Sequence, residues 1–244
     1  DVLSYSWEQL DGKPINIPLN TNTRGPLFEW KYPTTNSRRD FPSILIDNDL
    51  SILPIVNRTL KFGLLVRDEV LGGGQVASDE TIITVTKDSD PFEVTSQKED
   101  LTWEVGSLQT VSWNVTNTNE SPISCEKVKL LMSLDGGFTF PITLINETEN
   151  DGQFTITVPD VSTGGARIKV ESIDNIFYSL NKGFIRVNSP LNLTFVPDDK
   201  FEKALINLGL DDVLDNYVST ANIENVISLI LNELGIVTLK GIED

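Results

Sequence analysis

Apolar and polar residues take turns along most of this chain. Leu3, Tyr5 and Trp7 alternate with polar neighbours at the start, and Leu60, Phe62, Leu64 and Val66 do so again, with Ser, Lys and Gly among the residues between. A period of two puts every second side chain on the same face of a strand, so these runs predict strands with one face buried. Ile83 and Val85 repeat the pattern just before Lys87, Asp88, Ser89, Asp90 and Pro91, a polar run ending in proline that reads as a linker. Residues 1–88 are therefore expected to form one β module. Between its strands, Asn20 to Asp40 is rich in Thr, Asn, Arg and Pro and predicts long loops; a strand face of Phe28, Trp30 and Tyr32 is the other reading of the same stretch.

From Phe92 to Asn188 the alternation is clearer. Val111, Trp113 and Val115 share a face, as do Val128, Leu130 and Met132, then Phe154, Ile156 and Val158, then Ile168 and Val170, and finally Ile185 and Val187. Turn signals at Asp135-Gly136-Gly137, Asn150-Asp151-Gly152 and Gly164-Gly165 separate them, so an antiparallel sandwich is expected over 89–190. Trp113 is read as its core anchor, ahead of a ligand-stacking role. Trp103 has no evident place in the pattern.

After Pro190 the period changes. Asp199 with Glu202 three residues on has the form of a capping box, and Phe201, Leu205 and Leu208 sit at helical spacing until Gly209 supplies a stop. Asp211 to Leu214 is read as a further turn, and Ile223 to Ile242 mixes short apolar strand and turn elements. The whole is expected to be mainly β. Two tandem antiparallel β-sandwiches of immunoglobulin or fibronectin type, over 1–88 and 89–190, precede a small C-terminal α/β cap over 191–244.

Composition narrows the chemistry. With 244 residues, two or three cores are expected, and 39% hydrophobic with 23% charged residues speaks against disorder over most of the length. The net charge of −17 repels a polyphosphate and gives no cationic stripe, so nucleic acid is not an expected partner. Excess carboxylate suits calcium, though it is also the ordinary surface of an acidic protein. The chain has no His, and Cys125 is its sole cysteine. That removes the ligands of most transition-metal sites and the imidazole that Ser-His-Asp and Cys-His catalysis needs. One cysteine makes no internal disulfide, so packed cores must hold the fold. The longest apolar run, Val226 to Val237, is cut by Asn232 and Glu233, and no membrane span is expected. The start at Asp1, on a strand-like pattern without a basic and apolar leader, is read as that of a processed or excised piece.

Two resemblances add to this. WEVGSLQTVSWNV (Trp103 to Val115), LLMSLDGGFTFPITL (Leu130 to Leu144), NDGQFTITVPDV (Asn150 to Val161) and ARIKVESIDNIFYSLNKGFIRV (Ala166 to Val187) resemble the C-terminal β-sandwich region of secreted reprolysin-like zinc metallopeptidases of flavobacteria. LSYSWEQLDG (Leu3 to Gly12), FPS (Phe41 to Ser43) and RTLKFGLLVRDEVLGGGQVASDE (Arg58 to Glu80) are similar to the region just after the catalytic domain of those enzymes. The resemblance implies a secreted, extracellular or cell-surface bacterial protein, with a strand or two expected before Asp1. The two-histidine zinc motif has no counterpart here, so no catalytic role carries over. Further on, Phe195-Val196-Pro197-Asp198-Asp199, Phe201-Glu202, Ala204-Leu205 and Thr220-Ala221-Asn222-Ile223 resemble the N-terminal cap of bacterial leucine-rich repeat arrays, and VISLILNELGIVTLKGIED (Val226 to Asp244) resembles the first repeat. In such a repeat Val226, Leu229, Leu231, Ile236, Leu239, Gly241 and Ile242 take the inward positions, with Ile230 and Glu233 departing from the pattern.

Candidate sites are few. Arg67, Asp68, Gly72, Gly73, Gly74 and Asp79 are read as a hairpin connection ahead of a binding loop. Asp88 and Asp90 are too few oxygens for calcium and are read as a solvated linker; Glu171, Asp174 and Asn175 are treated alike. The sequons at Asn57, Asn114, Asn119, Asn146 and Asn192 carry no expected glycan in a bacterium. A repeat cannot bury its ladder alone, so an open edge at Leu229, Leu231, Leu239 and Ile242 is expected to meet a second copy, the preceding sandwich or further repeats. The expected function is a non-catalytic accessory region, spacing and docking a secreted peptidase through protein contacts. A calcium- or glycan-binding module is the alternative. An enzyme running on carboxylates alone is the third reading, and no cofactor other than calcium is in view.

Overall fold

The computed structural model describes residues 2–12, 19–43, 51–68, 70, 74–87, 91–188, 193–231 and 234–242. The chain divides into two compact units, Asp1–Asp88 and Ser89–Asp244. Both are built mainly from antiparallel β-structure.

In the first unit, β1 (Leu3–Gln9), β2 (Arg58–Asp68) and β3 (Val76–Val85) form one antiparallel sheet in the order β1-β2-β3. The alternation in β2 places Leu60 and Phe62 in a core with Leu27 and Phe28, against which Trp7, Phe41, Ile83 and Val85 pack. Phe28, Phe41 and Phe62 form a ring triangle with centroids 5.1–5.8 Å apart. Two expectations change here. Leu3 is exposed while Ser6 is buried, because β1 leaves the core at its start. Among the described residues there is also no second sheet; the segment 19–43 covers the sheet instead.

That cover is held by side chains reaching its backbone. Gln9 Oε1 accepts from the N–H groups of Leu27 at 2.7 Å and Phe28 at 3.1 Å. The buried Arg58 donates from Nη1 to the Asn22 carbonyl at 2.8 Å and from Nη2 to the Gly25 carbonyl at 2.7 Å. An irregular segment lying on a core has carbonyls and amides that water cannot reach, and these two side chains replace that water. The strand face proposed for Phe28, Trp30 and Tyr32 does not form. Phe28 turns inward, whereas Trp30 and Tyr32 lie in solvent.

The second unit holds a thicker core between two sheets. One runs β4 (Glu93–Val94), β6 (Leu108–Asn114) and β9 (Gln153–Thr157). The other runs β5 (Leu101–Trp103), β12 (Ile185–Val187), β10 (Thr163–Ser172), β7 (Lys127–Ser133) and β8 (Ile142–Glu149), with β11 (Tyr178–Leu180) also on β10. All these pairs are antiparallel save β5 with β12. Val111, Trp113 and Ile156 from the first sheet meet Val128, Leu130, Met132, Ile168, Val170, Ile185 and Val187 from the second. Each such aliphatic side chain contributes about 1.5–3 kcal/mol by leaving water. Trp103, unplaced by the pattern, is part of this core.

Trp113 brings a polar group into that core. Its Nε1 donates to Asn150 Oδ1 at 2.8 Å, and Asn150 Nδ2 donates to Thr118 Oγ1 at 2.9 Å and to the Cys125 carbonyl at 3.0 Å. Asn150 is 2% exposed, so the residue that signalled a turn is in fact a buried hub. Asn181 does the same nearby: Oδ1 accepts from Ile168 N at 2.6 Å, and Nδ2 donates to the carbonyls of Gln97 at 3.1 Å and Gly183 at 2.5 Å.

The C-terminal layer consists of β13 (Leu193–Phe195), α1 (Asp199–Asn207), β14 (Tyr217–Ser219) and α2 (Thr220–Ile223), with β13 antiparallel to β14. The helix cap lies one residue earlier than the capping-box pattern placed it. Asp198 is the N-cap, its Oδ1 accepting from Lys200 N at 2.9 Å and Phe201 N at 3.1 Å. Glu202 does not reach back to the cap; it is buried, and Oε1 accepts from Asp215 N at 2.7 Å and Tyr217 N at 3.1 Å. Gly209, at φ 74°, ends the helix as expected. Asp211 to Leu214 forms no helical turn.

The leucine-rich repeat expected over 226–244 finds no support among the described residues. The described residues of 224–242 contain no strand, since none of their backbone is paired in a ladder. A strand needs a hydrogen-bonded neighbour, and here the backbone is held by side chains instead. Asp198 Oδ2 accepts from Val237 N at 2.6 Å and Thr238 N at 3.1 Å, and Lys200 Nζ donates to the Gly235 carbonyl at 2.8 Å.

Two predictions follow from these buried polar groups. Asn150→Ala strands the Trp113 indole N–H and the Cys125 carbonyl and removes one donor from the Thr118 hydroxyl, which keeps its bond to the Val115 carbonyl, and is expected to lower stability by about 2–4 kcal/mol in denaturant titration. An effect below about 1 kcal/mol would show the hub to be dispensable. For Glu202, burial raises the carboxyl above the ordinary 4.5, against hydrogen bonds from Asp215, Asn216 and Tyr217 that lower it. A raised folded-state value means that the folded protein holds the proton more tightly, so stability is lost as pH rises through that value. Glu202→Gln is expected to melt at or above the wild type at neutral pH, with the gap closing below pH 4.5. A gap that widens on acidification contradicts the assignment.

Candidate functional site

The positions singled out from the sequence do not gather into one site. Leu229 and Leu231 pack against a small core of Val196, Phe201, Leu205 and Val218, whereas Leu239 and Ile242 are exposed. Leu229 and Ile242 line one small pocket with Phe201, Leu205 and Leu210. Arg67 pairs with Val76 and Asp79 with Leu64 in the β2–β3 hairpin, which Asp68 N closes on the Gln75 carbonyl at 3.0 Å. At Gly74 a Cβ would meet the Asp68 carbonyl oxygen at 2.3 Å, so glycine is required by close backbone approach. Gly72, Gly73, Asp88 and Asp90 lie outside the described residues. Glu171 is on β10, pairing with Lys129 at 2.8 Å and with Lys169, while Asn175 Oδ1 caps Ile176 N at 2.8 Å in the loop beyond. Among the described residues no group of three His, Cys, Asp or Glu side chains is arranged to hold a metal ion.

A place that the sequence reading passed over lies in the first unit. Lys31, Thr34, Asn36, Arg38, Arg39, Asp40 and Ser43 line a cleft of about 210 Å³. Every lining residue is polar. Three are cationic and one is anionic, in a chain whose net charge is −17. The basic run 31–39 could have been found by counting charge in a short window along an otherwise acidic sequence.

The cleft loop is tied to β1. Thr34 and Tyr5 exchange backbone hydrogen bonds of 2.8 and 3.0 Å, and Trp7 Nε1 donates to the Ser37 carbonyl at 2.9 Å. Within the loop, Asn36 Oδ1 accepts from Arg38 N at 2.9 Å and Arg39 Nη2 donates to the Tyr32 carbonyl at 2.8 Å. Arg38 Nε stands 3.3 Å from Asp40 Oδ1, and Lys31 Nζ stands 3.5 Å from Glu29 Oε2. On either side of Lys31, Trp30 and Tyr32 are 52% and 79% exposed. Their rings meet edge to face at 4.8 Å, and Trp30 Nε1 donates to Glu8 Oε1 at 3.1 Å.

Fold and site together define a mainly β, antiparallel protein with a polar surface cleft on an irregular loop. No family model matches the chain, and no curated protein matches it. Among solved structures it is similar to a Bacteroides ovatus mixed-linkage glucan utilization locus SGBP-B in complex with a mixed-linkage heptasaccharide, at 14% identity and a TM-score of 0.25, covering 76% of this chain and 37% of that one. It is also similar to a chimeric titin Z1Z2-Z1Z2 tandem functionalized with a GRGDS peptide from fibronectin, at 11% identity and TM-score 0.27, covering 76% of this chain and 84% of that one. The FN1-FN3 domains of chicken CNTN1 match at 13% identity and TM-score 0.24, covering 73% of this chain and 53% of those domains. The chain thus spans 37% and 53% of two of these structures. At such scores the likeness assigns neither a family nor a ligand.

The anchoring of the loop can be tested. Arg58→Leu leaves the Asn22 and Gly25 carbonyls without their donors, and is expected to cost about 2–3 kcal/mol and to expose 19–43 to proteolysis. Unchanged cleavage within that segment would mean that Arg58 does not hold it.

Proposed function

We propose that this chain is a non-catalytic accessory region of a secreted bacterial protein, a spacer and protein-interaction region whose second unit is an immunoglobulin- or fibronectin-like sandwich. The strings quoted above favour a zinc metallopeptidase as the parent.

One observation carries the spacer reading: the C-terminal layer is seated on the second sandwich, not tethered beside it. The ring of Phe195 lies over Gly165, where a Cβ would sit 1.8 Å from Phe195 Cε1. Gly164 N donates to the Tyr217 hydroxyl oxygen. Phe195 also contacts the rings of Phe184 at 6.1 Å and Tyr217 at 5.5 Å, and Lys240 Nζ lies 4.5 Å from the Phe184 ring centroid. Two successive glycines at the start of β10 open a slot that any side chain would fill. A layer locked in this way transmits force and orientation as one body with its sandwich, which is what a spacer needs. The absence of histidine in the sequence weighs on the same side, because imidazole is the usual proton carrier near neutral pH.

The purified chain is expected to release no product from casein or from a panel of polysaccharides, and Gly165→Val to lower the melting temperature of the second unit, with partial recovery in the Gly165→Val, Phe195→Ala double variant. Turnover that stays with the chain through successive columns would overturn the non-catalytic reading. A Gly165→Val protein as stable as the wild type would overturn the locked layer.

A further inference from the structure

We propose that the second unit is built to bear tension along the chain, with β5 and β12 forming a clamp that a pull on the two ends of the sandwich loads in shear. This rests on the spacer reading and adds a function to it: a spacer that holds a partner at a distance has to stay folded when that partner is pulled.

The first argument is strand direction. The chain enters the sandwich through β4 and β5 and leaves it through β12. β5 and β12 pair in parallel, with Leu101 opposite Ile185, Thr102 opposite Arg186 and Trp103 opposite Val187. A pull from the N-terminal side draws β5 by its start, and a pull from the C-terminal side draws β12 by its end. On parallel strands these forces run in opposite senses along the ladder, so every bond between the two strands carries load at once. Adjacent ends of an antiparallel pair behave differently. Drawing Lys127 of β7 away from Glu149 of β8 opens that ladder one bond after another.

The second argument is the set of ties that join the entering and leaving segments beyond this short ladder. Leu101 N donates to the Phe184 carbonyl at 3.0 Å, and Phe184 N donates to Asp100 Oδ1 at 2.7 Å. The Gln97 carbonyl accepts from Gly183 N at 3.0 Å and from the buried Asn181 Nδ2 at 3.1 Å. On β4, Val94 N donates to Ser179 Oγ at 2.9 Å, and Glu93 pairs with Lys182 at 2.7 Å. Gly183 has to be glycine for the segments to lie this close, because a Cβ there would collide with the Glu99 carbonyl. Closing the sheet requires the ladder alone. What the further ties resist is separation of the first segment of the sandwich from the last, which is the motion that tension produces.

Sliding β5 past β12 also drags the buried Trp103, Ile185 and Val187 out of the core, which exposes apolar surface to water. Unfolding under load is set by the barrier to this first slip, not by overall stability. A change at the clamp therefore acts on force out of proportion to its effect in denaturant, and a change elsewhere in the core does the reverse.

Single-molecule stretching of the full chain tests this, with Cys125→Ser removing the native thiol and a pair of introduced cysteines serving as handles. Lys87→Cys with Asn188→Cys loads the clamp, and Lys127→Cys with Glu149→Cys opens the β7–β8 edge; each protein is checked for an unchanged melting temperature. The first pair is expected to hold to several times the force of the second. In that geometry Asp100→Ala, an exposed change that removes the acceptor of Phe184 N, is expected to lower the force. Leu101→Pro, which removes the donor to the Phe184 carbonyl, is expected to abolish the difference between the two geometries. Asn150→Ala, which weakens the core away from the clamp, is expected to keep most of the force. Equal forces in the two geometries, an unchanged force in Asp100→Ala, or a loss in Asn150→Ala as large as that in Asp100→Ala overturns the clamp and leaves the spacer reading to stand on the locked layer.

Discussion

The indole N–H of Trp113 sits in a core that water does not enter, and a donor placed there without an acceptor costs on the order of 1–3 kcal/mol. Asn150 meets it at 2.8 Å, and in doing so fixes its own amide so that Nδ2 holds the loop carrying Thr118 and Cys125. The β6 strand, the 115–126 loop and the start of β9 are thereby set relative to one another by one side chain. The position of the C-terminal layer follows from that frame, because Gly164 and Gly165 can receive Phe195 only if β10 lies where the core puts it. Packing supplies most of the stabilisation of the unit, while the buried amides at Asn150 and Asn181 select one arrangement among the many that an all-apolar core would tolerate.

The period-two rhythm was readable wherever a strand has one wet and one dry face. Val128, Leu130 and Met132 on β7, and Ile168 and Val170 on β10, are all fully buried, as their spacing implied. It failed where the sheet runs out of core, as at Leu3. Asn150 was legible only as a turn former, since asparagine signals a turn and a buried amide hub with the same letter, and what separates them is the distant Trp113. The leucine-rich string from Val226 to Asp244 shows no paired strand among its described residues, for a related reason. Apolar spacing states which residues seek burial, but a ladder also requires a neighbouring strand, and spacing says nothing about that neighbour. For the cleft, Asn20 to Asp40 read correctly as long loops, but the rings of Trp30 and Tyr32 were legible only as a possible strand face. That Arg38 and Arg39 line one cleft with Lys31 follows from the Tyr5–Thr34 bridge, which no local pattern encodes.

Two carboxylates on the same short helix illustrate how burial and hydrogen bonding compete. Burial pushes both upward. Asp198 nevertheless ends below the ordinary aspartate range, because both of its oxygens accept, from Val237, Thr238, Phe201 and Lys200. Glu202 ends above the glutamate range, because its bonds fall on Oε1 and Oε2 has no partner. The first group favours the folded state above its unfolded value and loses that contribution as pH falls; the second behaves in the opposite sense. The two carboxylates therefore bias the layer's stability in opposite directions as pH changes.

The two units divide the physical work unequally. In the second, two sheets close over a core of fully buried aliphatic residues, and its loops are drawn in by buried amides. The first has one three-stranded sheet among the described residues, with an irregular segment as its cover. A cover of that kind can satisfy its inner side with Phe28 and Phe41 while its outer side remains free to carry rings and charges that a strand in a closed sandwich would have to alternate with buried positions. Trp30 and Tyr32 are exposed and Phe28 is buried within the same few residues for this reason: the backbone is held by Gln9 and Arg58 from beneath, so its side chains are not bound to a sheet's two-residue alternation. Loss of regular pairing in this segment is what lets its inner side bury Phe28 while its outer side carries the exposed rings of Trp30 and Tyr32.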